Sequence, residues 1–427
     1  MKRRTELSSN HIKFIMNNKS KNKKQNLILI LLVSLLMTLL TGCRDSGKVV
    51  YPVEVVETNP VEEVQEEVEE IPEEIEEEQE EEEEFVLLEP DESETDSDTQ
   101  GNVVTQDGKV VVDLVFFMGQ SNMSGAGGNA SMAPEVEEGH GYEFRTISDP
   151  TRLYPIEEPF GKNESFIGGI CDLPGAKKGS LVACFANEYY RLTGVPIVGV
   201  SASQGASTTE IWQSPGFQAD MKERYQRAVV WLESSGYFIR NRYAIWFQGE
   251  SDAANHVNPD VYNTNMDNII RPLFISGLNK VFIITPGRTL SIKNYFADIV
   301  EEQLDMCKQS GYYALGTNIL SATSAEYMVD EWHYNQQVLN LIGIETARSV
   351  ACYTLNRRER IDYDYLHGKT FIPDLFDYSG EEVCEPLNLS SVPRLLEDED
   401  YLYNYKEPDF TIIPHEEEEY IPEETEE

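Results

Sequence analysis

Several things are scarce in this chain, and each scarcity narrows what it can do. Basic side chains are few: 34 Lys and Arg stand against 76 Asp and Glu, a formal net charge of −42. A general nucleic-acid binder needs a cationic footprint to neutralise phosphates, so the balance disfavours that class. No long membrane-spanning run is apparent. The apolar stretch Leu27–Leu40 has 14 residues; at about 1.5 Å each they reach about 21 Å, short of a ~30 Å hydrocarbon core. Cysteines are six (Cys43, Cys171, Cys184, Cys307, Cys352 and Cys384), none in C-x-x-C spacing, so no zinc or redox site is expected. Leaving Cys43 aside, an odd number remains. We read them as buried free thiols, with Cys171–Cys184 as one pair that spacing alone does not decide. Histidines are also only six.

The acidity sits at the ends. Residues 1–50 carry +8, residues 51–100 carry −24 with no Lys or Arg, and residues 395–427 carry −13, which leaves −13 for residues 101–394. Glu runs broken by Pro60, Pro72 and Pro90 repel one another and offer little to bury. Residues 43–108 are therefore expected to be a disordered acidic linker, and 395–427 a disordered acidic tail. Residues 109–356 read as the globular domain, and 357–394 as an extension of unknown role. At the N-terminus, Lys19, Lys21, Lys23 and Lys24 precede the apolar run, which ends in Leu40-Thr41-Gly42-Cys43. A basic n-region, a short apolar region and small residues describe a secretory signal over residues 1–42. This end resembles the bacterial lipoprotein box, which implies cleavage before Cys43, its acylation, and an anchor on the extracytoplasmic face of a bacterial membrane. Met16 would give a more typical n-region than Met1.

From residue 109 short apolar runs alternate with segments of helical spacing. The runs are Val110–Phe117, Pro196–Ser201, Tyr243–Phe247, Val281–Thr285 and, more weakly, Tyr312–Leu315; the helical segments include Leu181–Leu192, Met221–Leu232, Val261–Leu278 and Val338–Leu355. That alternation predicts an α/β fold with a mostly parallel sheet covered on both faces. Ligands then bind beyond the carboxyl ends of the strands. Those ends deliver Gly119-Gln120-Ser121-Asn122, Ser203-Gln204-Gly205, Gln248-Gly249-Glu250-Ser251-Asp252, Pro286-Gly287-Arg288 and Asp330-Glu331-Trp332-His333.

Acyl transfer needs a nucleophile, a base, a group orienting the base and donors for the oxyanion. His11, His367 and His415 lie outside the core pattern, leaving His140, His256 and His333 as bases. Only His333 of these has an aspartate three residues earlier, Asp330, a spacing that lets a carboxylate fix one imidazole nitrogen. Ser121 and Ser251 are the candidate nucleophiles. Gly119 lets the chain turn before Ser121, and a helix N-terminus after it would favour an oxyanion. Ser251 approximates a nucleophile elbow, but Asp252 beside it opposes negative charge. Ser121 is the better candidate.

These residues carry a resemblance. Phe117-Met118-Gly119-Gln120-Ser121-Asn122-Met123-Ser124-Gly125 resembles the first block of the SGNH-hydrolase carbohydrate esterases, the branch with sialate O-acetylesterases and acetylxylan esterases. Trp246-Phe247-Gln248-Gly249-Glu250-Ser251-Asp252 is similar to their W-Q-G-E-S-D block, with Phe247 in place of the usual Trp. Gly205-Ala206-Ser207-Thr208-Thr209-Glu210-Ile211-Trp212 is similar to their G-G-T-x-I-x-x-W block, with Ala206 at the second Gly and Thr209 at the apolar position. Asp330-Glu331-Trp332-His333 resembles their D-x-x-H block. The similarity spans roughly residues 110–355, in matching order. It implies a flavodoxin-like three-layer α/β/α sandwich, with Ser121 as nucleophile, His333 as base and Asp330 as its partner. It further implies an oxyanion hole from the Ser121 and Gly205 N–H groups with a side-chain donor, for which Gln248 fits because an ionised Glu250 cannot donate. Glu250 would then hold neighbouring loops or a sugar hydroxyl, or equally be a buried carboxylate bonded to backbone amides. Trp212, Trp332 and Tyr334 are candidate sugar platforms. The substrate expected is an acetylated carbohydrate, with no metal and no organic cofactor. Two rivals are a glycosidase using Glu250 and Asp252, and a non-catalytic glycan-binding surface lipoprotein.

Overall fold

The computed structural model describes residues 95–97, 103–375 and 378. The segment expected to be a signal, Cys43, most of the expected linker, Cys384 and the acidic C-terminal stretch lie outside the described residues. Strand pairing begins inside the stretch expected to be linker. There, β1 (Thr95–Ser97) pairs with β2 (Val103–Thr105), and β2 joins β3 (Val110–Gly119) through Val104 and Val110.

Next come β4 (Gly141–Phe144), β5 (Leu153–Pro155), helix α1 (Val182–Thr193) and β6 (Ile197–Ser203). They are followed by α2 (Thr209–Trp212), α3 (Pro215–Ser234), β7 (Tyr237–Phe247), α4 (Glu250–Ala254) and α5 (Pro259–Ile275). The remainder is β8 (Lys280–Ile284), α6 (Ala297–Gln309), β9 (Tyr313–Thr317), α7 (Gln336–Asn356), and a hairpin of β10 (Asp362–Asp364) and β11 (Lys369–Phe371). The main sheet runs β5-β4-β6-β3-β7-β8-β9, and from β4 to β9 every neighbouring pair is parallel. Taken in chain order, β3, β6, β7, β8 and β9 lie 2-1-3-4-5, the flavodoxin-like order, whose switch point falls between β3 and β7.

The pleat divides β3 between two cores. Val112, Leu114, Phe116 and Met118 face a layer holding α3, α5 and α6; Val115 and Phe117 face one holding α1 and α7. A strand buried on both faces reads as a continuous apolar run, which is why VVVDLVFF stands out in the sequence. The one charge in that run, Asp113, is fully buried and fully engaged: Tyr189 Oη donates to it at 2.7 Å, Asn241 Nδ2 at 2.8 Å, and Arg240 pairs with it. Beyond α7 the chain stays on the fold. Glu359 makes a buried ion pair with Lys280 of β8, and Phe371 of β11 joins the first core. Cys184 and Cys307 are buried free thiols and Cys171 is a half-buried one, so Cys171 and Cys184 do not pair.

Candidate active site

The carboxyl ends of β3, β6 and β7 meet at the switch point, and close approach there explains the first block. A Cβ on Gly119 would stand 2.1 Å from the Phe247 carbonyl oxygen, and its φ of +145° is one that only glycine adopts readily. Gly119 therefore lets β3 and β7 close together and aims Ser121 off the sheet edge. No helix follows. Residues 121–127 form a run of turns, with Ser124 N donating to Gln120 O at 2.9 Å and Ala126 N to Ser121 O at 2.9 Å. Gly125, Gly127 and Gly128 make a helix costly here, so the expected helix N-terminus after Ser121 is absent. The turn ends against the histidine loop: a Cβ on Gly127 would lie 2.8 Å from the His333 Cβ.

Asp330 and His333 sit in a tight loop closed by Val329 N donating to His333 O at 2.9 Å. One Asp330 oxygen contacts His333 Nδ1 at 2.8 Å; the other accepts from the backbone N–H of Trp332 at 2.8 Å and of His333 at 3.0 Å. Partial burial pulls the Asp330 carboxyl upward, but these hydrogen bonds outweigh it and hold it below its usual value. A carboxylate so fixed holds the imidazole in one orientation with Nε2 turned away from it. Asn122 joins this loop to the Ser121 turn. Its Nδ2 donates to Trp332 O at 3.1 Å and to Glu250 Oε1 at 2.6 Å, and its Oδ1 accepts from Tyr334 N at 3.3 Å.

The other expected bases lie elsewhere. His140 immediately precedes β4, at the amino edge of the sheet, stacked on Tyr190 with ring centroids 4.1 Å apart. His256 is on the exposed turn after α4. A second Asp-x-x-His turn does exist: His367 Nδ1 contacts Asp364 at 2.7 Å, and Asp364 also accepts from the N–H groups of Leu366 and His367. It is held by Asn318 at the end of β9, three strand spacings or about 14 Å along the sheet from β3. The hydrogen-bonding pattern alone therefore does not mark a site; attachment to the Ser121 turn does.

Several expected roles are corrected. Gln248 is fully buried, and its amide protons are spent on Ser207 O at 3.0 Å and on Asp252, so it does not serve as an oxyanion donor. The Gly205 N–H donates to Asp172 at 2.7 Å and is likewise occupied. Glu250 is buried and holds the neighbouring Ser121 turn through the Asn122 side chain, while among the described residues its Oε2 has no hydrogen-bond partner. Burial pushes Glu250 up to about 7, against the Asn122 hydrogen bond that pulls it down. Asp252 is buried against Thr209, whose hydroxyl donates at 2.6 Å. Both carboxylates are thus interior, which removes the pair a glycosidase needs. Thr209 at the usually apolar position has its partner in Asp252. Trp212 and Tyr334 are fully buried; of the three candidate platforms only Trp332 is exposed, at 39%. Asn122 and Asp172 were the residues missed. Asn122 could have been weighed as a donor amide beside Ser121, whereas Asp172 sits in an irregular loop with no local signal.

Residues 111–352 match the family described as carbohydrate esterase, sialic acid-specific acetylesterase. The chain belongs to this family. Membership makes it a carboxylic ester hydrolase of the carbohydrate acetylesterase kind. Among solved structures it is similar to a protein from Arabidopsis thaliana (18% identity, 57% of this chain and 98% of that one, TM-score 0.40). It is also similar to NanS (13% identity, 58% and 98%, TM-score 0.38). A third is a carbohydrate acetylesterase from Xanthomonas citri (16% identity, 62% and 64%, TM-score 0.39). No curated protein matches the chain.

Proposed function

We propose that this carbohydrate esterase removes O-acetyl groups through an acetyl-enzyme on Ser121, with His333 as base and Asp330 as its orienting partner. The observation that carries the reading is the Asp330–His333 contact of 2.8 Å in a loop clamped to the Ser121 turn by Asn122. His333 takes the Ser121 proton as Oγ attacks the acetyl carbonyl. The tetrahedral intermediate collapses, and the sugar alkoxide leaves with that proton. Water then attacks the acetyl-enzyme with His333 as base, releasing acetate and restoring Ser121. Attack and collapse need N–H groups at the developing oxyanion, which the Ser121 amide and, once vacated, the Gly205 amide supply. We further propose that Cys43 is lipidated and tethers the domain, through the acidic linker, to the outer face of a bacterial membrane.

The test is release of p-nitrophenol from p-nitrophenyl acetate by the full chain, comparing wild type with Ser121→Ala and Ser251→Ala. The expected outcome is a loss of at least about a thousandfold with Ser121→Ala and near-wild-type turnover with Ser251→Ala. Loss confined to Ser251→Ala would move the nucleophile to α4. An inactive wild type would favour the non-catalytic, glycan-binding reading.

A further inference from the structure

Gly205 has an open side, and two residues flank it. A Cβ built there would meet Asp172 Oδ1 at 3.4 Å and Ser121 Cβ at 3.6 Å, ordinary contact distances, and the backbone does not adopt a positive φ. Neither crowding nor strain requires a glycine at this position. What the missing side chain leaves is room beside Ser121, and a carboxylate borders it. Asp172 Oδ1 accepts from Gly205 N at 2.7 Å, and Asp172 Oδ2 accepts from Ser124 Oγ at 2.6 Å. Ser124 Oγ also lies 2.9 Å from Ser203 Oγ.

We infer that Asp172 occupies the acyl site of this esterase, its side-chain carboxyl resting where the substrate's acetyl group must go. The inference rests on the proposed role of Ser121 and Gly205 and adds an occupant to that site. An aspartate side chain beyond Cα is a carboxymethyl group, the size and shape of acetate, and it binds a backbone N–H as an acetyl carbonyl oxygen would. An anionic carboxylate on an oxyanion donor also opposes the negative charge that develops in acyl transfer. The conformation described is therefore self-occupied, and substrate or product must displace Asp172 to engage Gly205.

The surroundings permit that exchange. Asp172 is buried and feels the charge of Lys177, but among the described residues no close ion pair holds it; its side-chain hydrogen-bond partners are a backbone amide and a serine hydroxyl. The preceding residues are pinned, Ile170 N to Asp220 at 2.8 Å and Cys171 N to Gln204 at 2.7 Å. The following ones, Leu173 to Gly175, are exposed. A side-chain rotation at this boundary frees Gly205 without moving the anchored arm.

The test measures acetate itself, by saturation-transfer NMR on the full chain and by inhibition of p-nitrophenyl acetate hydrolysis. Asp172→Ala vacates the site, so acetate should bind about tenfold more tightly, one hydrogen bond's worth. The kcat/KM for p-nitrophenyl acetate should rise severalfold. Asp172→Ser is the second variant, keeping a hydroxyl near Ser124 that is too short to reach Gly205, and it should behave alike if the alanine variant folds poorly. Acetate bound no more tightly by either variant, in protein of wild-type thermal stability, would overturn the inference. Tighter acetate binding in a chain that hydrolyses nothing would uphold it while sinking the esterase reading of Ser121.

Discussion

The two Asp-x-x-His turns make a built-in comparison at the scale of single residues. Asp330–His333 and Asp364–His367 share the same hydrogen bonds, yet only the first is clamped to the Ser121 turn. His333→Ala should abolish ester hydrolysis, while His367→Ala should leave kcat within about twofold of wild type, both read with p-nitrophenyl acetate. Glu250 sets a different expectation. Burial holds its carboxyl at about 7, above the ordinary 4.5. It thus keeps its proton more tightly when folded, and the stability it contributes is lost as pH rises from about 4.5 through 7. Glu250→Gln should remove that slope, of order 3 kcal/mol at full development. The check is the urea midpoint at pH 5 and pH 8: the difference between them should shrink in the variant. The Asp330–His333 contact was legible because both residues are marked by type and spacing. Gln248 was misjudged because nothing in a linear motif reveals that Ser207 and Asp252 already hold its N–H groups, and nothing there reveals Asp172 on the Gly205 amide.

At the scale of elements, the buried strands were legible and the half-exposed ones were not. β8 falls within one residue of its apolar run. β7 begins at Tyr237, six residues before Tyr243, because its first half is partly exposed and carries Arg240 and Arg242. Arg240 reaches across to the buried Asp113, a tertiary reason invisible locally. Helix α3 starts at Pro215 after Ser214, ahead of the first helical spacing noticed at Met221; proline suits a first helical turn, where its missing N–H costs nothing. The turn after β6 shows why Ala206 departs from the usual glycine at a price. Ala206 has φ of +56°, a left-handed conformation that a Cβ disfavours. Ala206→Gly should therefore stabilise the protein by about 1 kcal/mol, seen as a raised urea midpoint, with the loop of Gly205 unchanged.

For the whole molecule, the last described residues belong to the fold's energetics. Lys280 on β8 is buried, and its ammonium meets Glu359 and the Gly311 carbonyl at 2.7 Å. Glu359→Ala leaves that charge buried with one neutral partner, an expected loss of about 3–5 kcal/mol in urea unfolding. Glu359→Gln, which keeps a hydrogen bond, should lose less. The extension after residue 356 carries no periodic apolar pattern to announce this. Its contribution comes from single residues, Glu359, Ile361 and Phe371, reaching separate parts of the core.

The Asn122 clamp has a consequence for how activity is acquired in time. Its bonds to the loop of His333 join residues 210 and 212 positions apart in the chain. Such distant pairings form late, since loop-closure entropy must be met before they return any stabilisation. A chain emerging from its amino end carries an inert serine until its final strand and helix have docked. Ester hydrolysis should accordingly lag behind the recovery of helical signal during refolding, so turnover itself reports completion of the native state.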